Sequence, residues 1–209
     1  MESSGTTTLA KTLAAHYKTV WVPEFGRACW EGRQYLSDQQ SWAEWEFVNI
    51  ARMQQEWEDR LALSANRLLI CDTDALATQV WHWRYRKHYS KAVERIAASR
   101  SYHLYILTAP DFMFQQDGTR ELEHKLEFRM RMHEEFRRTL QANGVRWIEV
   151  NGTEDNRKIS AISAIDKILT FDPLPYTWSD EVLAQQRSAE KDTFPKKLAP
   201  EDGVDFETS

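Results

Sequence analysis

A chain of 209 residues with 42% hydrophobic content has enough apolar material for one sizeable core, which excludes an intrinsically disordered protein. Its net charge of -5 arises from 27 basic and 32 acidic residues interspersed along the chain, so composition supplies no basic field for nucleic acid. No apolar run reaches bilayer length and the amino terminus lacks a signal-peptide pattern, while Cys29 and Cys71 have neither metal nor disulfide-framework spacing. These features predict a cytoplasmic protein with no membrane or nucleic-acid partner and inert thiols; they leave the oligomeric state open.

Residues 6–17 predict a helix with Leu9, Leu13 and His16 or Tyr17 on its apolar side, and 19–22 a short strand stopped by Pro23. From about 41 to 64, Phe47, Ile50, Trp57 and Leu61 mark an amphipathic helix that Asn66 would terminate. The run 67–71 is continuously apolar after Arg67, which suggests a strand covered on both faces, and it ends in Asp72-Thr73-Asp74. Helices follow near 75–86 and 90–99, then a strand over 102–107 closed by Pro110. A long helix over 120–142 ends at Asn143-Gly144, followed by a strand over 146–150, the turn Asn151-Gly152 and a helix over 155–169. Strands alternating with helices predict an α/β fold: a parallel sheet with helices on both faces, over residues 1–184. The polar segment 185–209 has little to bury and is expected to be a flexible tail.

The first nine residues, Met1-Glu2-Ser3-Ser4-Gly5-Thr6-Thr7-Thr8-Leu9, match the back half of the phosphate-binding pattern G-x-x-x-x-G-K-[ST]. In that pattern backbone N–H groups cradle phosphates, the lysine neutralises the outer ones and the hydroxyl holds Mg²⁺. Gly5 takes the second glycine and Thr7 the Mg²⁺ hydroxyl, but Thr6 occupies the lysine position. The first glycine and the strand that launches the loop would lie upstream of Met1. The competing reading is an ordinary helix cap by Ser3, Ser4 or Gly5.

Ligands of open α/β sheets bind outside the carboxyl ends of the strands. Two such ends carry carboxylates here: Glu24 in Pro23-Glu24-Phe25-Gly26-Arg27, and Asp72 with Asp74. A third segment, Asp117-Gly118-Thr119-Arg120, precedes the long helix, on which Arg129 and His133 interrupt an apolar stripe. Phosphoryl transfer to a hydroxyl needs a phosphate cradle, Mg²⁺, a carboxylate to take the proton and cations over the migrating group, and each has a candidate. The bland alternatives are a solvated Glu24, helix-capping aspartates, a snorkelling Arg129 and an interior His133.

Taken in order, these motifs make the chain resemble the NadR-type ribosylnicotinamide kinase domain, a P-loop kinase family with ATP-binding, AAA-like character, over about residues 2–170. The resemblance implies transfer of phosphate from ATP to the ribose 5′-hydroxyl of nicotinamide riboside in NAD salvage. It implies ATP and Mg²⁺ as cofactors and a nucleoside as the other small-molecule partner. By motif, Ser3, Ser4, Gly5, Thr6, Thr7 and Thr8 would hold ATP phosphates with Arg129, and Thr7 and Asp72 the metal. Glu24 or Asp72 would be the base, Asp72 being the better fixed, and Arg120 would act from the lid. Arg27 and Asp74 would serve the substrate side, and Phe25, Trp21, Trp30 and Trp81 are candidates for an aromatic sandwich around a cationic pyridinium.

Three departures stand out: Thr6 in the lysine position, Phe25 where the family often has tyrosine, and no opening strand. Arg120 or Arg129 is better placed than Lys11 to replace the lysine charge, since Lys11 lies about 140° from Thr6 around an ideal helix. A P-loop sheet without its first, central strand predicts a gap or altered register between the 67–71 and 102–107 strands. A non-catalytic nucleotide-binding module and a kinase for another nucleoside are the alternatives.

Overall fold

In a computed structural model of the chain, residues 5–33, 41–111 and 126–170 are described. Ser3, Ser4, Asp117–Arg120 and the 185–209 segment lie outside them. The described elements run α1 (Thr6–Tyr17), β1 (Trp21–Val22), α2 (Phe25–Arg33), α3 (Glu44–Ala62), β2 (Ile70–Cys71), α4 (Ala75–Arg86), α5 (Lys91–Ala98), β3 (Tyr105–Thr108), α6 (Leu126–Ala142), β4 (Trp147–Val150) and α7 (Glu154–Leu169).

Local chemistry sets many of these boundaries. Asp74 caps α4 by accepting from the Ala77 N–H at 2.8 Å, Ser90 caps α5 through Val93, and Thr153 caps α7 through Asn156. Gly144, at φ +62, supplies the left-handed turn after α6. The strand expected over 67–71 shortens to Ile70–Cys71. Arg67 adopts φ +64, and the Thr19 hydroxyl accepts from the Asn66 N–H while donating to the Leu68 carbonyl, holding these residues in a turn. The segment after Pro23 becomes α2 at once. Its first N–H, on Phe25, donates to Gln54 Oε1 at 2.8 Å.

Side chains alternate across the strands, as a period of two requires. Leu104, Ile106, Ile148 and Val150 pack toward α1 and α7 with Leu9, Leu13, Ala161 and Ile165. Tyr105, Leu107 and Trp147 turn the other way, onto Leu76 of α4 and Leu140 of α6. A further cluster of Phe47, Ala51, Ala75 and Val93 joins α3, α4 and α5. Helices therefore cover both faces, and the fold is the expected three-layer α/β arrangement.

The strands form two separate parallel pairs. Trp21 and Val22 pair with Ile70 and Cys71, and Tyr105–Thr108 pair with Trp147–Val150. Among the described residues β2 and β3 do not pair, so the expected gap between them is present. Among the described residues, no helix is long and apolar enough to cross a membrane.

Candidate functional site

The amino terminus of α1 lies at the carboxyl ends of the strands. Gly5, at φ +78, turns the chain into α1 in a conformation that glycine alone adopts without strain. Among the described residues no side chain caps α1, and its first turn carries no acidic residue, so its leading N–H groups and dipole suit an anion. The Thr7 hydroxyl donates to Asp72 Oδ2 at 2.6 Å, and the Thr6 hydroxyl lies 3.1 Å from that of Thr108. One helix turn thus reaches the ends of both strand pairs, through Asp72 after β2 and Thr108 of β3.

Asp72 is 9% exposed, and burial pushes its carboxyl up to about 6. The Thr7 hydrogen bond and Arg27 oppose that rise, while Glu24 adds to it. Negative charge is therefore under-compensated here, an arrangement that a bound cation would relieve. Thr7, Asp72 and Glu24 offer hard oxygen donors, which fit Mg²⁺ held by one or two carboxylates and completed by phosphate oxygens. A cavity of about 1410 Å³ opens beside them, lined at this end by Gly5, Thr8, Glu24, Arg27, Asp72 and Thr108.

The remaining expected site residues are spread more widely. Asp74 is buried, with Oδ1 on the Ala77 N–H and Oδ2 accepting from the Tyr105 hydroxyl at 2.8 Å; the helix-cap geometry is therefore present. Phe25 meets Trp57 edge-on at 4.9 Å, and Trp81 sits between Tyr85 and Phe136 in the packing of α4. Trp30 is half-buried on α2. None of these three rings lines the cavity. Lys11 stacks over Trp21 at 5.1 Å. Arg129 is 4% exposed, and burial lowers its pKa with Asp111 and Arg157 nearby. His133 is buried and faces Glu149 at 3.3 Å, an interior position.

Three positions contribute that the sequence reading missed. Thr108 is one; a polar residue closing an apolar strand, as Asp72 does, was the available signal. Gln54 is 1% exposed and ties two site loops together: its Oε1 accepts from Phe25, next to Glu24, and its Nε2 donates to the carbonyl of Thr73, next to Asp72. It interrupts the stripe Phe47, Ile50, Ala51, Gln54, Glu58, where a polar residue at core spacing was legible. Arg157, 2% exposed, donates to the carbonyls of Ala109 and Gly152 at 3.0 Å and pairs with Asp111, fixing the turn after β4 to the end of β3.

Residues 1–157 match the AAA domain family. The chain belongs to that family. This AAA-domain chain resembles two solved structures described as the NadR protein, one in complex with NR and one with NAD and AMP-PNP. The first has a TM-score of 0.64 at 22% identity, covering 84% of this chain and 51% of the other. The second has a TM-score of 0.62 at 22% identity, covering 85% and 50%. The chain therefore spans about half the length of these proteins, and its fold is that of a NadR-like P-loop kinase domain. No curated protein matches the sequence.

Proposed function

We propose that the chain is an ATP-dependent phosphotransferase that moves the γ-phosphoryl group of ATP onto the ribose 5′-hydroxyl of nicotinamide riboside, giving nicotinamide mononucleotide, ADP and a proton. The observation that carries this reading is the Thr7–Asp72 hydrogen bond at the glycine-led start of α1, with Glu24 beside it. A phosphate-binding helix start, a metal-type hydroxyl and two carboxylates converge on one strand-end edge. The NR and AMP-PNP complexes of the structurally similar NadR proteins support a nucleoside and a nucleoside triphosphate as the ligands.

Thr7 and Asp72 are assigned to Mg²⁺, because their side chains are already paired and Asp72 is anchored by its N–H to Val22. Bound Mg²⁺ would neutralise charge on the phosphate oxygens. Glu24, half-buried on the cavity wall, is assigned as the base that accepts the hydroxyl proton. Gln54 holds the Glu24 and Asp72 loops in register, and Arg27 supplies positive charge on the same wall. Arg129, expected at the phosphates, is buried beside Asp111 and Arg157 and does not line the cavity, so Arg27 is the described rim cation assigned to the phosphates.

The direct test is ADP and nicotinamide mononucleotide formation from ATP and nicotinamide riboside. Glu24→Gln is expected to lower kcat by about 10²–10⁴ with little change in ATP affinity, whereas Asp72→Asn raises the Mg²⁺ concentration needed for half-maximal rate. Full activity in both variants would remove the assigned site. A second reading, a nucleotide-binding module without transfer, is favoured by Thr6 in the lysine position and Lys11 held on Trp21. Calorimetry showing ATP binding without turnover on any nucleoside would select it.

A further inference from the structure

Two hydroxyl contacts hold the start of α1, Thr7 on Asp72 and Thr6 on Thr108. The first ends on the strand pair that Gln54 braces through Phe25 and Thr73. The second ends on β3, and the side chain that fixes that end is Arg157, in the first turn of α7. Its Nη2 donates to the carbonyl of Ala109 at 3.0 Å, one residue beyond Thr108, and to Asp111 Oδ1. Its Nε donates to the carbonyl of Gly152 at 3.0 Å. The Gly152 N–H donates in turn to Asp111 Oδ2 at 2.6 Å, and the Ala109 N–H to the Val150 carbonyl at 2.9 Å. Arg157, Asp111 and Gly152 thus close a ring of contacts that makes the turns leaving β3 and β4 one unit. A guanidinium that is 2% exposed is a poor choice if it serves only to hold α7 on the sheet. Its burial costs solvation that an apolar side chain avoids, and Ala161 and Ile165 already pack α7 against Val150, Leu9 and Leu13. What the planar fork adds is a fixed spacing between its acceptors, here two strand-end carbonyls and a carboxylate.

We propose that Arg157 is a positioning residue for phosphoryl transfer, which sets the place of Thr108 and, through the Thr6 hydroxyl, of the leading N–H groups of α1. Its effect on rate rests on the phosphotransferase reading; its effect on the geometry of α1 stands without it. Thr108 and Ala109 share a peptide, so a displaced β3 turn carries Thr108 with it. Thr6 is the first residue of α1 and stands in the lysine position, so a shift of its hydroxyl partner re-aims the helix start. A misplacement of about 1 Å near reacting groups costs on the order of 10² in rate. Arg157 itself stands outside the cavity wall, and Glu24 and Arg27 lie beside the other strand pair, so the nucleoside side of the site is spared.

The test uses the full chain with Arg157→Lys, which keeps the charge but not the fork, with Thr108→Val, and with both together, each assayed well below its Tm. Arg157→Lys is expected to lower kcat about 10- to 100-fold while KM for nicotinamide riboside stays within about twofold. Both single changes break the same chain of contacts, so the double variant should lose no more than the worse single, and Thr108→Ser, which keeps the hydroxyl, should match the parent. Losses that multiply in the double variant, or parental kcat in Arg157→Lys, overturn the proposal. Backbone amide resonances of the ligand-free chain read the same coupling without catalysis. Arg157→Lys should move those of Thr6 and Thr7, and the movement should vanish when residue 108 is changed to valine. Unmoved resonances overturn the positioning role, whereas the coupled movement in a chain that makes no ADP supports it and counts against the phosphotransferase reading alone. Where Arg157→Lys does not fold, Asp111→Asn, which keeps the shape and removes the ionic partner, takes its place in both readouts under the same criteria.

Discussion

The rim and the middle of the same cavity are held in different ways. At the rim, side chains do the joining: Thr7 reaches Asp72 from one strand pair and Thr6 reaches Thr108 of the other. In the middle, no ladder joins β2 and β3 among the described residues. The start of α1 can therefore be positioned for phosphate chemistry even where the sheet beneath it is interrupted. Catalytic geometry at the rim and sheet continuity below it are separable properties, and they can be perturbed one at a time.

Changes at the rim carry the largest expected effects. Asp72→Asn keeps the shape but removes the charge facing Thr7 and Glu24. Phosphotransfer at fixed Mg²⁺ should fall by about 10²–10³, the scale of one lost transition-state stabiliser; an unchanged rate would place the metal elsewhere. Thr6→Lys restores a cation at the loop, and kcat is expected to rise by about 10-fold or more, up to 10². If kcat stays flat while ATP binding tightens, the charge helps the ground state only.

Gln54 connects rim to core, and its replacement should affect both. Gln54→Leu leaves the Phe25 N–H and the Thr73 carbonyl without their partner, at a cost of about 1–3 kcal/mol in a urea melt. The kcat loss should exceed what the lowered Tm explains at assay temperature, while Gln54→Glu, which keeps the acceptor for Phe25, recovers part of it. A stability loss with normal kcat would confine Gln54 to the core. Thr6→Val is the mildest rim change, removing one hydroxyl pair with Thr108 at a cost of about 0.5–1.5 kcal/mol.

The smallest effect belongs to the cavity wall and is read through pH. Burial raises the Glu58 carboxyl above the usual glutamate range, against the pull of its Tyr102 and Arg100 partners. The native state therefore binds this proton more tightly than the unfolded chain does. The contribution is full below the ordinary glutamate pKa of about 4.3 and is lost as pH rises through the higher native value. Glu58→Gln cannot ionise, so its Tm should fall less than the parent's between about pH 4 and pH 7. Parallel Tm curves for the two proteins would show that Glu58 does not set this dependence.

Elements bounded by local signals were legible in the sequence. Helix α1 spans Thr6–Tyr17 and α4 spans Ala75–Arg86, as periodicity and capping predict, because a helix is closed by contacts within a few residues. The shortened β2 was not legible, since Thr19 acts on Asn66 and Leu68 across 47 and 49 positions. Nor was α2, whose opening N–H is caught by Gln54 from a different helix. Among candidate site residues, Thr7, Glu24 and Asp72 share the rim because Thr7 lies in the first turn of α1, Glu24 directly precedes α2 and Asp72 directly follows β2. The aromatic candidates Phe25, Trp30 and Trp81 do not share its cavity, because ring type says nothing about which face a residue turns to the core.

By itself, the sequence determined the alternation of strands and helices, the polar rim residues and the expectation of an interrupted sheet, all consequences of short-range pattern and strand-end position. Only the tertiary structure decided which hydroxyl meets which carboxylate, that Asp74 is spent as a cap on α4 and Tyr105, and that Gln54 braces two loops. Those outcomes depend on contacts between residues far apart in the chain, where packing selects among partners that local chemistry leaves equivalent.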